Sequence, residues 1–154
     1  MVFFLLMAQL LLYLQKKVKT MTKEEKTLLF KDLSSRASYD VKVKTSSGPW
    51  EVIGAYKSFY GGNVYERVLT KCDEEGRHND YPIEAVKPYL RPMSSMTEEE
   101  REEYEMLQVY PGFKTSHTDL TDMHDWLLAN HFDFRELIPM GLALEAPEGM
   151  YENK

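Results

Sequence analysis

Three prolines within eleven residues, Pro82, Pro88 and Pro92, constrain this chain more than any other feature. Proline lacks an N–H and clashes with a helical backbone, so the stretch 80–100 is expected to hold neither a long helix nor a central strand. It ends at Thr97, with Glu100 three residues on, the spacing at which a hydroxyl and a carboxylate cap a helix reciprocally. Short alternating segments precede this boundary, and helical periodicity follows it. An α+β chain is therefore expected, with strands on the amino-terminal side and helices on the other.

Upstream, Thr22 and Glu25 form a second capping box, opening an amphipathic helix that runs to Leu33. Residues 39–45 alternate strictly, with Tyr39, Val41 and Val43 on one face and Asp40, Lys42 and Lys44 on the other, as a half-buried strand does. Further strands are expected at 50–56, 64–69 and 81–83, separated by turn signals at 46–49 and Gly61-Gly62-Asn63 and by a polar loop at 73–80. Residues 84–86 read as a tight turn. These pieces predict a small curled antiparallel sheet, an SH3-like barrel being its expected specific form.

Downstream, helices are expected at 98–108 and 118–130, with a third short one capped by Asp133 and stopped by Pro139 and Gly141. Residues 142–144 would add an extended piece. The predicted organisation is an apolar extension (1–20), a helix plus small β unit (21–96) and a helical segment (97–154) packed as one unit with it.

At 154 residues and 43% apolar, with seventeen Phe and Tyr residues, the chain can bury a genuine core. One cysteine, Cys72, excludes an internal disulfide and any multi-cysteine zinc site, and it fits a reducing, cytoplasmic setting. The net charge of −6 conceals a gradient. Residues 1–44 carry nine Lys/Arg against four Asp/Glu, whereas residues 97–154 carry four against fourteen. Phosphate-rich partners would be repelled by the acidic end, so any nucleic acid must use the amino-terminal half.

Residues 1–14 are apolar apart from Gln9, and Lys16, Lys17 and Lys19 follow. As a helix they would extend about 21 Å, short of the roughly 30 Å hydrocarbon core. Charge follows the run instead of preceding it, the reverse of a secretory signal. Three readings stay open: a segment upstream of a natural start at Met21, a membrane anchor with a cytoplasmic body, or a packed helix.

Four blocks carry a resemblance: residues 21–33, 83–100 (Ile-Glu-Ala-Val-Lys-Pro-Tyr-Leu-Arg-Pro-Met-Ser-Ser-Met-Thr-Glu-Glu-Glu), 125–138 (Asp-Trp-Leu-Leu-Ala-Asn-His-Phe-Asp-Phe-Arg-Glu-Leu-Ile) and 141–151. Together they resemble a family of short uncharacterised (hypothetical) proteins of gut anaerobic bacteria and their phages and mobile elements. The resemblance spans residues 21–151, implies a start at Met21 and implies no activity, cofactor or functional residue.

The histidines His117, His124 and His131 recur every seven residues, near Asp122, Asp125 and Asp133. On one helix that places successive rings roughly 10.5 Å apart along the axis, too far for one ion, so His124 and His131 are only weak metal candidates. Cys72 and His78 sit among carboxylates that would raise the thiol pKa. Ser94 and Ser95 match no nucleophile elbow, and Gly61-Gly62 lacks the residues of a phosphate loop. One constellation points to binding: Tyr39, Trp50, Tyr56, Phe59, Tyr60 and Tyr65 interleaved with Lys42, Lys44, Lys57 and Arg67. Exposed aromatics between cations can stack bases; buried, the same aromatics are simply core. The expected function is that of a small non-enzymatic accessory or interaction protein with a protein partner, no cofactor and no catalytic residue. Nucleic-acid binding through this face and membrane attachment through residues 1–14 are the alternatives.

Overall fold

The computed structural model describes residues 20–71, 75–112 and 122–152. Helix α1 (Lys23–Arg36) begins at the Thr22–Glu25 capping box, with both reciprocal hydrogen bonds formed. Its buried stripe is Leu29, Asp32, Leu33 and Arg36, spaced i, i+3, i+4 and i+7. A 3-10 turn at Ala37–Tyr39 and Asp40 at φ 54° then turn the chain into β1 (Lys42–Thr45). Tyr39 therefore lies outside the strand expected to contain it: Asp40 takes the left-handed conformation that aspartate tolerates, which breaks the extended run.

Strands β2 (Gly48–Tyr60) and β3 (Asn63–Lys71) form a hairpin much longer than expected, closed by Gly61 and Gly62 at φ 57° and 78°. Two consecutive positive φ angles make the tight turn whose twist matches the strands, so pairing continues out to Tyr60 and Asn63. A register shift between Val52 and Gly54 places a bulge at Ile53, which bends β2 and curls the sheet. Strand β4 (His78–Pro82) recruits the end of the expected polar loop by pairing with β3.

After a 3-10 turn at Ile83–Ala85 comes β5 (Lys87–Leu90) and another 3-10 turn at Met93–Ser95. Next is α2 (Glu98–Val109), starting at the Thr97–Glu100 capping box. The remaining elements are α3 (Met123–Ala129) and β6 (Leu144–Glu145). The sheet order is β4-β3-β2-β1-β5-β6, antiparallel except for the parallel β5–β6 pair. It is a mixed, open sheet, not an antiparallel or closed barrel: β4 and β6 are its two edges.

Pro88 thus lies in an interior strand, contrary to the expectation for the proline stretch. The ladder shows how. β1 pairs with Lys87 and Pro88, and β6 pairs only with Tyr89 and Leu90, so Pro88 has a neighbour on one side. The missing N–H falls where no second strand needs it.

Two cores result. Leu29 and Leu33 of α1 pack with Val41, just before β1, and with Val43, Val52, Val68 and Leu90 of the sheet, with Leu137 and Leu142 closing the layer. Trp126 and Phe132 stack at 5.6 Å in a smaller core with Leu107 and Leu127. Helix α3 starts at Asp122, which caps it by accepting from the backbone N–H groups of His124 and Asp125; residues 118–121 of the expected 118–130 helix lie outside the described residues. The expected helix after Asp133 is a series of turns. Asp133 does accept from the N–H groups of Leu137 and Ile138, both at 2.8 Å, but Glu136 at φ 58° prevents a helical turn from propagating.

Candidate functional site

The β2–β3 ladder decides what the aromatic–basic constellation can do. Directly paired residues share a face, so Tyr56 with Arg67, Ser58 with Tyr65 and Tyr60 with Asn63 form the outer row. Lys57 with Glu66 and Phe59 with Val64 form the inner row, on the α1 side, where the Lys57 ammonium sits 5.3 Å from the Phe30 ring. The constellation is split between two faces.

At the tip the side chains have nothing left to pack against. Phe59 is 78% exposed, Tyr60 81%, Val64 55% and Tyr65 45%. Residues 58–65 carry no charge at all. Behind the tip the charges are matched: Lys57 Nζ lies 3.6 Å from Glu66 Oε1, and Arg67 Nε donates to Asp80 Oδ1 at 2.9 Å. The Tyr56 hydroxyl donates to the other Asp80 oxygen at 2.7 Å, and this bond is the main reason its pKa is raised. Burial pushes the Asp80 carboxyl up, but the hydrogen bonds from Arg67 and Tyr56 prevail and hold it below the usual range.

The other members of the set belong elsewhere. Trp50 is half-buried and donates Nε1–H to Ser47 Oγ at 3.0 Å. Lys42 is fastened to the carboxyl-terminal turn: its N–H donates to the Tyr151 hydroxyl at 3.1 Å and its ammonium to the Met150 carbonyl at 3.2 Å. Lys44 is exposed opposite Lys87 of β5. Val64, exposed beside Phe59, joins the patch without having been in the expected set. Its position beyond the helix layer was the deciding signal, and a single sequence carries no such signal.

The two metal candidates are not brought together. Ligand atoms of Asp122, His124 and Asp125 lie within 4.8 Å of one another, and His131 is not among them. His131, at φ 61°, is buried and stacks on the Tyr151 ring at 3.7 Å. The Asp122 carboxylate is occupied as the α3 cap, and an Arg135 guanidinium nitrogen lies 3.5 Å from His124 Nε2, which opposes a cation there. Burial, then Asp125 and Asp122, raise the Tyr39 hydroxyl beside this cluster. His117 and Cys72 lie outside the described residues; His78 is exposed on β4. Ser95 donates its hydroxyl to the Pro92 carbonyl at 2.7 Å.

A buried ionic network went unforeseen. Arg36, fully buried, donates Nε–H to Asp32 at 2.8 Å and Nη2–H to the Phe132 carbonyl at 2.7 Å, while Arg135 reaches the second Asp32 oxygen at 2.6 Å. It ties α1 to the carboxyl-terminal turns. A groove of about 530 Å³ lies between α2 and residues 145–152, where Arg91 is held by both Glu100 oxygens at 2.8 Å. Among the described residues no helix is long and apolar enough to cross a membrane. No protein-family model, curated protein or solved structure matches the chain.

Proposed function

We propose that this protein is a non-enzymatic interaction module whose docking element is the tip of the β2–β3 hairpin. The exposure of Phe59, Tyr60, Val64 and Tyr65 supports the reading: four large apolar or aromatic side chains, at the end of a fully paired hairpin, in an eight-residue uncharged stretch. Large apolar side chains left exposed on both faces of one hairpin end, clear of the core, suit a contact surface. The hairpin's ladder fixes the backbone that carries these side chains, so binding orders side chains and not a loop. The resemblance to phage- and mobile-element proteins supports an accessory role. For nucleic acid, the two cations nearest the tip, Lys57 and Arg67, already face carboxylates, which weakens the phosphate-tracking half of that reading.

A photo-crosslinking residue placed at Tyr60, with a control at Glu102 on α2, tests the module in cells. Adducts at position 60 and none at 102 are expected. Absence of any adduct at 60 overturns the proposal, and adducts to nucleic acid would replace it with the base-stacking reading.

A further inference from the structure

Beyond Ala146, whose N–H donates to the Leu90 carbonyl, the chain turns back on itself through residues 147–152. Its backbone bonds there are local: the Met150 N–H donates to the Pro147 carbonyl and the Glu152 N–H to the Gly149 carbonyl. Among the described residues, every hydrogen bond from this strap to the rest of the fold runs through a side chain. The Lys42 ammonium donates to the Met150 carbonyl at 3.2 Å, and Tyr151 makes the other two. The register that pairs Val43 with Pro88 and Lys44 with Lys87 brings Lys42 opposite Tyr89 at the next rung. At that rung the Tyr151 hydroxyl stands between donor and acceptor. It accepts from the Lys42 N–H at 3.1 Å and donates to the Tyr89 carbonyl at 2.8 Å. A phenol does both; a phenylalanine ring does neither, and a carboxylate only accepts. The Tyr151 ring lies on His131, with 3.7 Å between centroids and 22° between planes.

We infer that this seam is a recognition slot for a tyrosine side chain, filled from within the chain by Tyr151, and that the strap is a latch which a tyrosine-bearing segment of a partner protein displaces. The occupant in place shows which chemistry fits: a flat ring for the His131 face and a hydroxyl for the open rung. The walls of the slot do not depend on the strap. His131 is buried and fixed through its own backbone, donating to the Leu128 carbonyl at 3.1 Å and accepting from the Arg91 N–H at 2.8 Å. Lys42 and Tyr89 belong to β1 and β5. A slot preorganised in this way loses little on binding. A segment held by so few contacts opens locally, without unfolding of the sheet behind it. The tether gives Tyr151 an effective concentration of about millimolar, so a displacing segment needs further contacts. The groove of about 530 Å³ that the strap walls off from α2, with Ser95, Thr97 and Asn130 in its lining, offers them. This contact goes beyond the hairpin tip and uses none of its residues.

The slot is tested with Tyr151→Gly in the full chain, titrated with p-cresol, which is the tyrosine side chain as a free molecule, and with toluene, its hydroxyl-free counterpart. p-Cresol is expected to shift the Lys42 amide resonance of the variant and to leave the parent unchanged. Toluene should bind at least about tenfold more weakly, for want of the two hydrogen bonds. No shift at Lys42, or equal binding of toluene, overturns the slot. Hydrogen exchange tests the latch in the parent chain. The Lys42 amide should exchange at least about tenfold faster than that of Val52, which donates to the Val41 carbonyl within the core. Tyr151→Phe keeps the ring, and should speed exchange at Lys42 by about a further tenfold. Equal rates at Lys42 and Val52, or a Lys42 rate that the phenylalanine variant does not raise, overturns the latch. All of these readouts lie at Lys42 and not at position 60, so their failure leaves the hairpin tip standing, and failure of the tip leaves them untouched.

Discussion

The two ends of the sheet are built on opposite principles. At the β5 end every direction is occupied. β1 pairs on one side and β6 on the other, the Arg91 N–H donates to the His131 carbonyl at 2.8 Å, and the Asp133 N–H returns to the Arg91 carbonyl at 2.8 Å. The Tyr151 hydroxyl donates to the Tyr89 carbonyl at 2.8 Å, and Leu90 is fully buried. At the β2–β3 tip the ladder runs past the helix layer, and Phe59 and Tyr60 project largely into solvent. One end joins segments distant in sequence; the other presents a surface that folding does not use. Exposure alone would not separate function from chance, since much of any protein surface is apolar. The crosslinking test at Tyr60 is what separates them, since Met106, Val109 and Tyr110 near the end of α2 are exposed as well.

Substitutions can test that contrast. The largest effect is expected at Asp32→Ala, which strands Arg36 and Arg135 around a buried site. Losing one partner of a buried ionic network costs about 3–5 kcal/mol, measured as a shift in the denaturant midpoint. Leu90→Ala follows, at about 3 kcal/mol for a buried leucine whose cavity the surrounding strands cannot close. A cooperative melt that barely moves after either change would mean that the β5 end is not what joins the two halves.

Tyr151 provides a pH test of the same junction. Burial pushes its hydroxyl up to about 12, so the folded state keeps a proton that the unfolded chain releases near 10. Its contribution is fully present below about pH 10 and is lost as pH rises towards 12, by about 2–3 kcal/mol in all. Tyr151→Phe should remove that part of the alkaline slope and cost about 1 kcal/mol near neutrality, because the bond to the Tyr89 carbonyl is lost. The smallest stability effect belongs to the tip: Phe59→Ser with Tyr60→Ser should stay within about 0.5 kcal/mol of the parent. A large destabilisation there would show that the tip is part of the core's support and not a free docking surface.

Local chemistry was the legible part of the fold. Both capping boxes formed at the expected residues, because a hydroxyl and a carboxylate three apart satisfy each other's backbone without help from the rest of the chain. The alternation of Val41 and Val43 placed both in the core, and Gly61-Gly62 turned the hairpin. The candidate site was partly legible: Phe59, Tyr60 and Tyr65 were in the expected set. Trp50 and Lys42 were in it too; Trp50 turns back onto Ser47 three residues earlier, and tertiary contacts with Met150 and Tyr151 took Lys42 away.

What escaped the sequence was long-range. Asp32 and Arg36, charged residues that periodicity gives no reason to bury, share the buried stripe of α1 because Arg135, about a hundred positions later, completes their ionic network. Pro88 reads as a bar to an interior strand, and is harmless because β6 pairs only beyond it. The sequence by itself determined where elements start and turn, the aliphatic face of the strands and the uncharged aromatic run at 58–65. The tertiary structure alone decided which aromatics are covered, since coverage depends on where a helix layer ends and not on any residue's own chemistry.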